Sequence, residues 1–279
     1  GAGKTSLIRI VNQITMPDSG SILLDGEALA PHHTAQIGYL PEERGLYKKM
    51  KVGEQALYLA QLKGMEKGEA KYKLNQWFEK FELDGWWDKK VEELSKGMAQ
   101  KVQFITTVLH EPKLLILDEP FSGFDPINTN LIKKEILELR DKGATIIFST
   151  HNMESVEEIC DDIALINQSK KILDGKVSEI KETYKSNIFE IVFEGNMIAF
   201  STALWTAFEI LEKKQVDNRI HIKIRATKTS DVNELLKIIV NQVQVISVHE
   251  LMPSMNDIFI QKVQEIMPET LEEEEGSFE

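Results

Sequence analysis

The sequence predicts two domains, a larger one in which helices flank a mostly parallel β-sheet and a smaller α+β domain that follows it. Two short apolar segments, residues 114–117 and 145–148, each follow a helical pattern, as expected for parallel strands buried on both faces. Residues 52–88 have a helical pattern throughout. Beyond Tyr184, apolar and charged residues alternate, which is typical of half-buried strands. The order of these patterns predicts an α/β fold with an added α+β domain.

The composition is that of an ordinary globular protein. Of the 279 residues, 42% are hydrophobic and 28% are charged, and no run of about 18 apolar residues predicts a membrane-spanning helix. The formal net charge of −12 would repel a nucleic-acid backbone, so we expect no nucleic-acid partner. The single cysteine, Cys160, has no second cysteine with which to form a disulfide, which indicates a reducing compartment such as the cytoplasm.

We place the larger domain at residues 1–185, with an inserted helical subdomain at about residues 48–100. This subdomain contains Trp77, Trp86 and Trp87. Trp77 lies at helical spacing from Phe81, which favours a position in the subdomain core. For Trp86 and Trp87 the sequence leaves two interpretations open, a place in that core or a place in a contact with a partner protein.

We place the smaller domain at residues 186–266. The patterns predict a strand at 188–193, a helix at 197–211, a strand around 220–224, a helix capped by Ser230, a strand at 243–248 and a helix that begins at Ser254. The remaining residues, 267–279, are rich in glutamate and are expected to form a solvated acidic tail.

The segment GAGKTS matches the end of the G-x-x-x-x-G-K-[ST] phosphate-binding loop. In such a loop, backbone N–H groups at a helix start surround phosphates, the lysine reaches the β- and γ-phosphates, and the hydroxyl ligates Mg²⁺. Because the first glycine of the pattern is not present, we expect the chain to be truncated inside this loop and to fold poorly without the strand that enters it. The residues expected to bind nucleotide here are Gly1, Ala2, Gly3, Lys4, Thr5 and Ser6, with Thr5 also a metal ligand.

A second motif, LLILDEP, is an apolar strand that ends in two acids. Taken alone, Asp118 and Glu119 could be solvated residues at a strand end. Downstream of GKT, however, such a pair is expected to deliver one carboxylate to Mg²⁺ and the other to the attacking water. We therefore predict that Asp118 binds the metal and that Glu119 is the general base of an ATPase.

Three further segments occur in a characteristic order. LSKGMAQ puts Ser95 and Gly97 at a predicted helix start, SGFD ends in Asp125, and FSTH places His151 after a predicted strand. With GKTS and LLILDEP, these segments resemble the signature, D-loop and switch histidine of ABC ATPases. The resemblance implies a P-loop NTPase fold of the ABC type, with ATP and Mg²⁺ as cofactors.

The resemblance also implies how these residues work. ABC ATPases form a head-to-tail dimer, so Ser95 and Gly97 of one copy would close over the ATP held by Lys4 and Thr5 of the other. It further implies that His151 contacts the γ-phosphate and that Asp125 couples the two sites. A separate hydrophobic membrane subunit is the implied partner, which would place the protein at the cytoplasmic face of the membrane.

Two segments depart from the family pattern. IGYLPEERGLY has Glu42 at a position where the family commonly has glutamine, and we predict that Glu42 is a metal ligand. The signature has Lys96 and Met98 where glycine and glutamine are usual.

IGYLPEERGLY and the C-terminal PSMNDIFI resemble the Nat-type sodium exporters and related drug-efflux proteins. The function expected from this resemblance is export of an ion or small molecule; the alternatives are a non-transport ABC ATPase and an ATP-dependent regulatory switch.

Overall fold

The computed structural model describes residues 2–43, 45–204, 208–226 and 232–266. The chain forms two compact units, Gly1–Asn152 with Ile166–Lys170 and Met153–Leu165 with Lys171–Glu279. This division falls earlier in the chain than the domain boundary that we placed at residue 185. Gly1, Ser230 and the acidic segment 267–279 lie outside the described residues. Among the helices of the described ranges, none combines the length and apolar character needed to span a bilayer.

The first unit begins with a short helix, followed by a β-hairpin and then by alternating helices and strands. Its elements are α1 (Lys4–Val11), β1 (Leu23–Leu24), β2 (Glu27–Ala28), β3 (Ile37–Leu40), α2 (Val52–Leu62), α3 (Lys67–Lys80), α4 (Lys96–Val108), β4 (Leu114–Asp118), α5 (Pro126–Asp141) and β5 (Thr145–Ser149).

Strands β3, β4 and β5 form a parallel sheet in that order, which confirms the predicted α/β class. Every residue of β4 is buried, as the sequence predicts for a central strand. The prediction that the next strand is also buried on both faces is wrong, because exposed and half-buried side chains alternate along β5 from Thr145 to Phe148. In the described part of the chain, β5 pairs only with β4. Ile147, on its outer face, is 45% exposed.

Helix α1 packs on one face of this sheet. Ile8 is buried against Ile37, Leu114 and Ile116 from strands β3 and β4. The apolar spacing of α1 therefore gives it a single buried face, and this fixes the helix start next to the carboxyl ends of the strands.

Aromatic side chains form the core of the helical subdomain. Trp77 packs against Phe81 and Phe104, with ring centroids 5.6 and 6.3 Å apart, so it lies half-buried at the edge of this core. Trp87 packs against Phe78 at 5.6 Å, so it also belongs to this core. Gly53 lies directly against the Trp87 indole, where even one added methyl group would overlap the ring.

The second unit contains several helices, a four-stranded sheet and the outer parts of a hairpin, whose residues 166–170 belong to the first unit. Its elements are α6 (Met153–Ile159), β6 (Asp162–Asn167), β7 (Lys170–Lys176), α7 (Val177–Thr183), β8 (Ile188–Glu194), α8 (Met197–Leu204), β9 (Phe208–Val216), β10 (Arg219–Ala226), α9 (Val232–Ile239), β11 (Gln244–Leu251) and α10 (Met255–Ile266).

The four-stranded sheet is antiparallel, in the order β11-β8-β10-β9. Its buried face meets helices α8 and α9, and Phe193 stacks on Phe200 at a centroid distance of 4.3 Å. The predicted helix at 197–211 is confirmed as far as Leu204 and is wrong from Phe208 onward, where the chain forms β9. An apolar stretch of this length does not distinguish helix from strand. This segment forms a strand because it pairs with β10 through a tight turn, in which Asp217 has φ = 53°.

Residues 153–165 and 171–185 belong to the second unit, where helix α7 packs against the last helix. Met255 and Ile258 of α10 lie against Val177 and Ile180 of α7. The carboxylate of Glu157 accepts the Met255 N–H at 2.6 Å. These long-range contacts have no signal in the local sequence pattern.

The predicted start of the last helix at Ser254 is confirmed. The Ser254 hydroxyl accepts the Asp257 N–H at 3.1 Å, and the Asp257 carboxylate accepts the Ser254 N–H at 3.1 Å. This reciprocal pair satisfies backbone donors that the helix itself leaves unpaired.

Elsewhere in the unit, burial raises the pKa of the Cys160 thiol to about 11, so this free cysteine stays protonated and unreactive.

We predict that His110 makes the first unit sensitive to acid. Burial, and then the nearby Lys63 ammonium, lower the pKa of His110 from 6.5 to about 4. As the pH falls from about 6.5 to 4, the unfolded chain takes up this proton before the folded chain does, so the free energy of unfolding falls by at most about 3 kcal/mol.

Denaturant unfolding of the protein between pH 7 and pH 4 checks this prediction. The variant His110→Leu should lose part of the pH dependence, whereas His32→Gln, a change at an exposed histidine of the same unit, should keep it. Equal slopes for His110→Leu and the unchanged protein would show that His110 is not the titrating group.

Candidate functional site

The site lies at the carboxyl ends of strands β4 and β5. In the parallel register, Asp118 at the end of β4 is directly opposite Ser149 at the end of β5. The residues that follow each strand, Glu119 and Thr150, therefore leave the sheet side by side. This edge is where open parallel sheets place their ligands.

Asp118 is a buried carboxylate with a hydroxyl partner. Its side chain is 4% exposed, and the Ser149 hydroxyl donates a hydrogen bond to it. Burial, together with the negative charge of Asp118, raises the pKa of the nearby Tyr39 hydroxyl. A buried carboxylate needs hydrogen-bond donors or a cation close by, and Ser149 supplies one donor.

Glu119 is held at both carboxylate oxygens. The Thr150 hydroxyl donates to Oε2 at 3.1 Å, and the His151 Nδ1 atom lies 2.8 Å from Oε1. The Glu119 backbone has φ = 48°, a left-handed conformation that costs a non-glycine residue about 1 kcal/mol. Strain of this kind concentrates at functional sites. The Glu119 N–H nevertheless keeps a partner, the Ser149 carbonyl at 2.9 Å.

The start of α1 brings the phosphate-loop residues to the same edge. Gly3 precedes the helix with φ = 96°, and the Lys4 ammonium donates to the Thr150 carbonyl at 3.2 Å. Ser169 packs against Gly3, and its N–H donates to the Ala2 carbonyl at 3.1 Å. Glycine is required at position 3 because of both its left-handed backbone and this close neighbour.

Thr5 and Ser6 lie on the exposed first turn of α1, so their hydroxyls and the free N–H groups of that turn are open to a ligand. Gly1 lies outside the described residues. Lys4, Asp118, Glu119 and His151, which the sequence singled out, thus form one connected group through Ser149 and Thr150.

Glu42 lies beside the two acids. Together with Asp118, Glu119, Gln100 and Ser122, it lines a small cavity between the end of β3 and the loop after β4. The carboxylate, amide and hydroxyl oxygens around this cavity are the donors that Mg²⁺ prefers. Asp118 and Glu42 therefore supply carboxylate oxygens, the type of ligand that a divalent cation takes.

A second group of possible metal ligands, Glu27, His32 and His33, lies outside this site, with ligand atoms within 4.8 Å of one another. The His33 Nδ1 atom accepts the Ala30 N–H at 3.0 Å, so in the neutral ring Nε2 carries the proton. That nitrogen faces Glu27 Oε2 at 3.7 Å. The arrangement favours a weak interaction of the ring N–H with the carboxylate, because a metal would need a lone pair on Nε2.

The signature residues occupy a helix start, as predicted. Ser95 caps α4 by accepting the Met98 N–H at 3.2 Å, and Gly97 has open space around its Cα. Among the hydrogen bonds and ion pairs of the described residues, none joins Ser95 or Gly97 to Lys4.

Asp125 has a structural role that the sequence analysis did not foresee. Its carboxylate caps α5 by accepting the Asn128 N–H at 3.0 Å. Hydrogen bonds from the Asn128 backbone and side chain lower the pKa of Asp125. Asp125 therefore fixes the end of the loop that begins at Glu119.

Sequence reasoning missed three residues that organise the site. Ser149 and Thr150 hold the acidic pair, and Gln100 donates to the Ser122 carbonyl. The first two stand next to His151 in FSTH, so their hydroxyls were a usable signal. Nothing local to Gln100 points to its contact 22 residues away.

Comparisons with known proteins give the same assignment. Residues 1–122 match the sequence profile of the ABC transporter family, and residues 175–263 match the C-terminal domain of DrrA1-3-like ATP-binding proteins. The chain is 43% identical to YhaQ of Bacillus subtilis strain 168, an uncharacterized ABC transporter ATP-binding protein, over 94% of this chain and 86% of YhaQ. It is 31% identical to the ABC transporter ATP-binding protein NatA of the same strain, over 71% and 82%.

A solved structure described as the ATP-binding subunit of an ABC transporter superposes on 66% of this chain and 78% of its own, with a TM-score of 0.61 and 30% sequence identity. The fold, the connected group around Asp118 and Glu119, and the identity to YhaQ over nearly the whole chain agree. The chain belongs to the family of ABC transporter ATP-binding subunits, which are ATPases.

Proposed function

We propose that this ATPase energises export of an ion or small molecule through a separate membrane-spanning subunit, from the cytoplasmic face of the membrane. The observation that carries the proposal is the connected group of Lys4, Asp118, Glu119, Thr150 and His151 at one edge of the sheet. Such a group suits phosphoryl transfer to water, which depends on positioned charges.

Each residue has a distinct part in this proposal. Mg²⁺, when bound, neutralises the charge that develops on the phosphate oxygens. Asp118, Thr5 and Glu42 would hold that ion, and Lys4 would exchange its contact with the Thr150 carbonyl for phosphate oxygens. Glu119 accepts the proton of the attacking water, and the Thr150 hydroxyl orients the Glu119 carboxylate.

His151 pairs with Glu119 in the structure described here, and its ring is 83% exposed. A histidine so exposed can turn toward a γ-phosphate without opening the core. We propose that it does so when ATP binds, which leaves Glu119 Oε1 for water.

The second half of the site comes from a second copy of this chain or a homologous subunit. Ser95 and Gly97 lie at the amino end of the 13-residue helix α4, whose unpaired N–H groups attract anions. The resemblance of LSKGMAQ to the ABC signature supports a head-to-tail dimer, in which each copy completes the other's site.

Export is the finer part of the proposal. It is supported by the resemblance of IGYLPEERGLY and PSMNDIFI to the Nat-type branch and by the identity to NatA. Sodium is the first ion to test. A protein with several hydrophobic spans that copurifies from solubilised membranes would identify the partner, whereas copurification with ribosomes would favour the non-transport alternative.

We predict that Glu119→Gln slows ATP hydrolysis by at least about 100-fold while ATP binding is retained, because only the proton acceptor is lost. With Mg-ATP, this variant should run as a dimer in size-exclusion chromatography and as a monomer without it. Turnover at the rate of the unchanged protein would remove Glu119 from the role of base.

We predict that Ser95→Asp abolishes this ATP-driven dimer. Aspartate keeps the cap on α4, since its carboxylate also accepts the Met98 N–H, but it places a negative charge where the partner's triphosphate should bind. The change is made together with Glu119→Gln, and Ser95→Thr, which keeps cap and hydroxyl, is the control. A dimer that forms equally well with Ser95→Asp would contradict the head-to-tail arrangement.

We predict that Asp118→Asn raises the Mg²⁺ concentration needed for half-maximal hydrolysis by about 10- to 100-fold. Asparagine keeps an oxygen for the Ser149 hydroxyl, so folding should be preserved. Nucleotide binding in the presence of a chelator should be unchanged. Equal Mg²⁺ dependence of the two proteins would show that Asp118 is not a metal ligand.

A further inference from the structure

A cavity of about 660 Å³ lies between helices α3 and α5 and the loop that follows α4. Among the described residues that line it, none belongs to the group proposed to bind nucleotide. Its volume falls within the range of about 300–1,000 Å³ that small-molecule sites occupy. Trp77 on α3, Val108 at the end of α4 and Leu139 on α5 contribute apolar surface. The cavity therefore offers an aromatic ring and aliphatic walls to a ligand.

A buried ion pair joins the two helices that line this cavity. Glu135 on α5 is 2% exposed, and Lys80 on α3 donates to its Oε2 atom at 2.7 Å. The Lys80 ammonium also lies 5.5 Å from the centre of the Trp77 ring. Because a buried carboxylate is costly without a cation held close to it, this pair fixes the spacing of α3 and α5.

The carboxylates that line the cavity already have lysine partners. Lys80 pairs with Glu138 at 3.3 Å as well as with Glu135. Lys73 donates to the Glu111 carboxylate at 3.1 Å. A cationic ligand would have to displace one of these lysines from its partner, so the cavity does not favour positive charge.

Two further lysines of the same cavity are available to an anion. In the described part of the chain, Lys142 makes no side-chain hydrogen bond or ion pair. Lys113 contacts the Asp25 carboxylate at 3.6 Å, and an ion pair as exposed as this one contributes little. The backbone at Lys142 is fixed, because its N–H donates to the Glu138 carbonyl at 3.1 Å. These lysines supply positive charge beside the apolar walls.

We propose that this cavity is a second ligand site, separate from the nucleotide site, and that it takes a small aromatic carboxylate. The ring of the ligand packs on Trp77 and Leu139. Its carboxylate accepts charge-assisted hydrogen bonds from Lys113 and Lys142. The existing pairs of Lys73 and Lys80 stay in place. This inference does not depend on the proposed transport function.

Naphthoate is the probe, because it combines a planar apolar body with one carboxylate. Its dissociation constant with the full chain is measured by ligand-observed NMR titration. Naphthamide has the same shape without the charge and should bind at least about tenfold more weakly. Naphthylmethylammonium should bind no better than naphthamide. Tightest binding of the ammonium compound, or no binding of naphthoate, would refute the proposal.

The variant Lys113→Gln with Lys142→Gln should weaken naphthoate binding by at least about tenfold and leave naphthamide binding unchanged. Both lysines are exposed, so the fold should be retained. Lys71→Gln is the matched control, because it removes the same charge from an exposed position of α3 that does not line the cavity. Equal naphthoate affinity of the double variant and the unchanged protein would show that these lysines do not bind the carboxylate.

A non-hydrolysable ATP analogue with Mg²⁺ separates the cavity from the nucleotide site. A saturating concentration of the analogue should leave the dissociation constant of naphthoate unchanged. Complete displacement would place the probe in the nucleotide site and refute a second site. A protein that hydrolyses ATP but does not bind naphthoate overturns this inference alone, whereas one that binds naphthoate in the cavity without hydrolysing ATP overturns the proposed function alone.

Discussion

The arrangement of the first unit depends on the parallel pairing of β4 with β5. This register sets Asp118 opposite Ser149, and it sends Glu119 and Thr150 out of the sheet together. A slip of one residue would turn every side chain of β4 to the other face and separate the carboxylates from the hydroxyls that hold them. The burial of all five β4 residues makes such a slip costly, because polar Asp118 would exchange places with apolar neighbours.

The carboxylates explain much of the remaining polar structure. Asp118 is nearly inaccessible to water, so its charge depends on the Ser149 hydroxyl and on any cation that joins it. Glu119 has a similar need, met by Thr150 on one oxygen and His151 on the other. A site that gathers negative charge this closely is prepared for a metal ion and for the positive end of a helix dipole, which α1 presents at its start.

Sequence patterns predicted the parts of this fold that have local causes. The buried strand β4, the cap at Ser95 and the helix start at Ser254 each depend on residues close in the chain, and the structure confirms them. Residues 208–211 were misassigned to a helix, because the pairing of β9 with β10 depends on a partner strand and not on the composition of the segment itself. The exposed face of β5 and the contact of Gln100 with Ser122 likewise depend on neighbours distant in sequence.

The left-handed backbone of Glu119 shows how these levels combine. A glutamate with φ = 48° is unfavourable by itself, so the surrounding contacts must hold it. They do so from three directions: the Ser149 carbonyl accepts its N–H, the Ser122 N–H donates to its carbonyl, and the Thr150 hydroxyl donates to its side chain. The end of strand β5 and the loop after β4 thus both contact this one residue. The conformation of Glu119 therefore depends on contacts that exist only in the folded protein. The motif LLILDEP identifies this residue but does not determine its conformation.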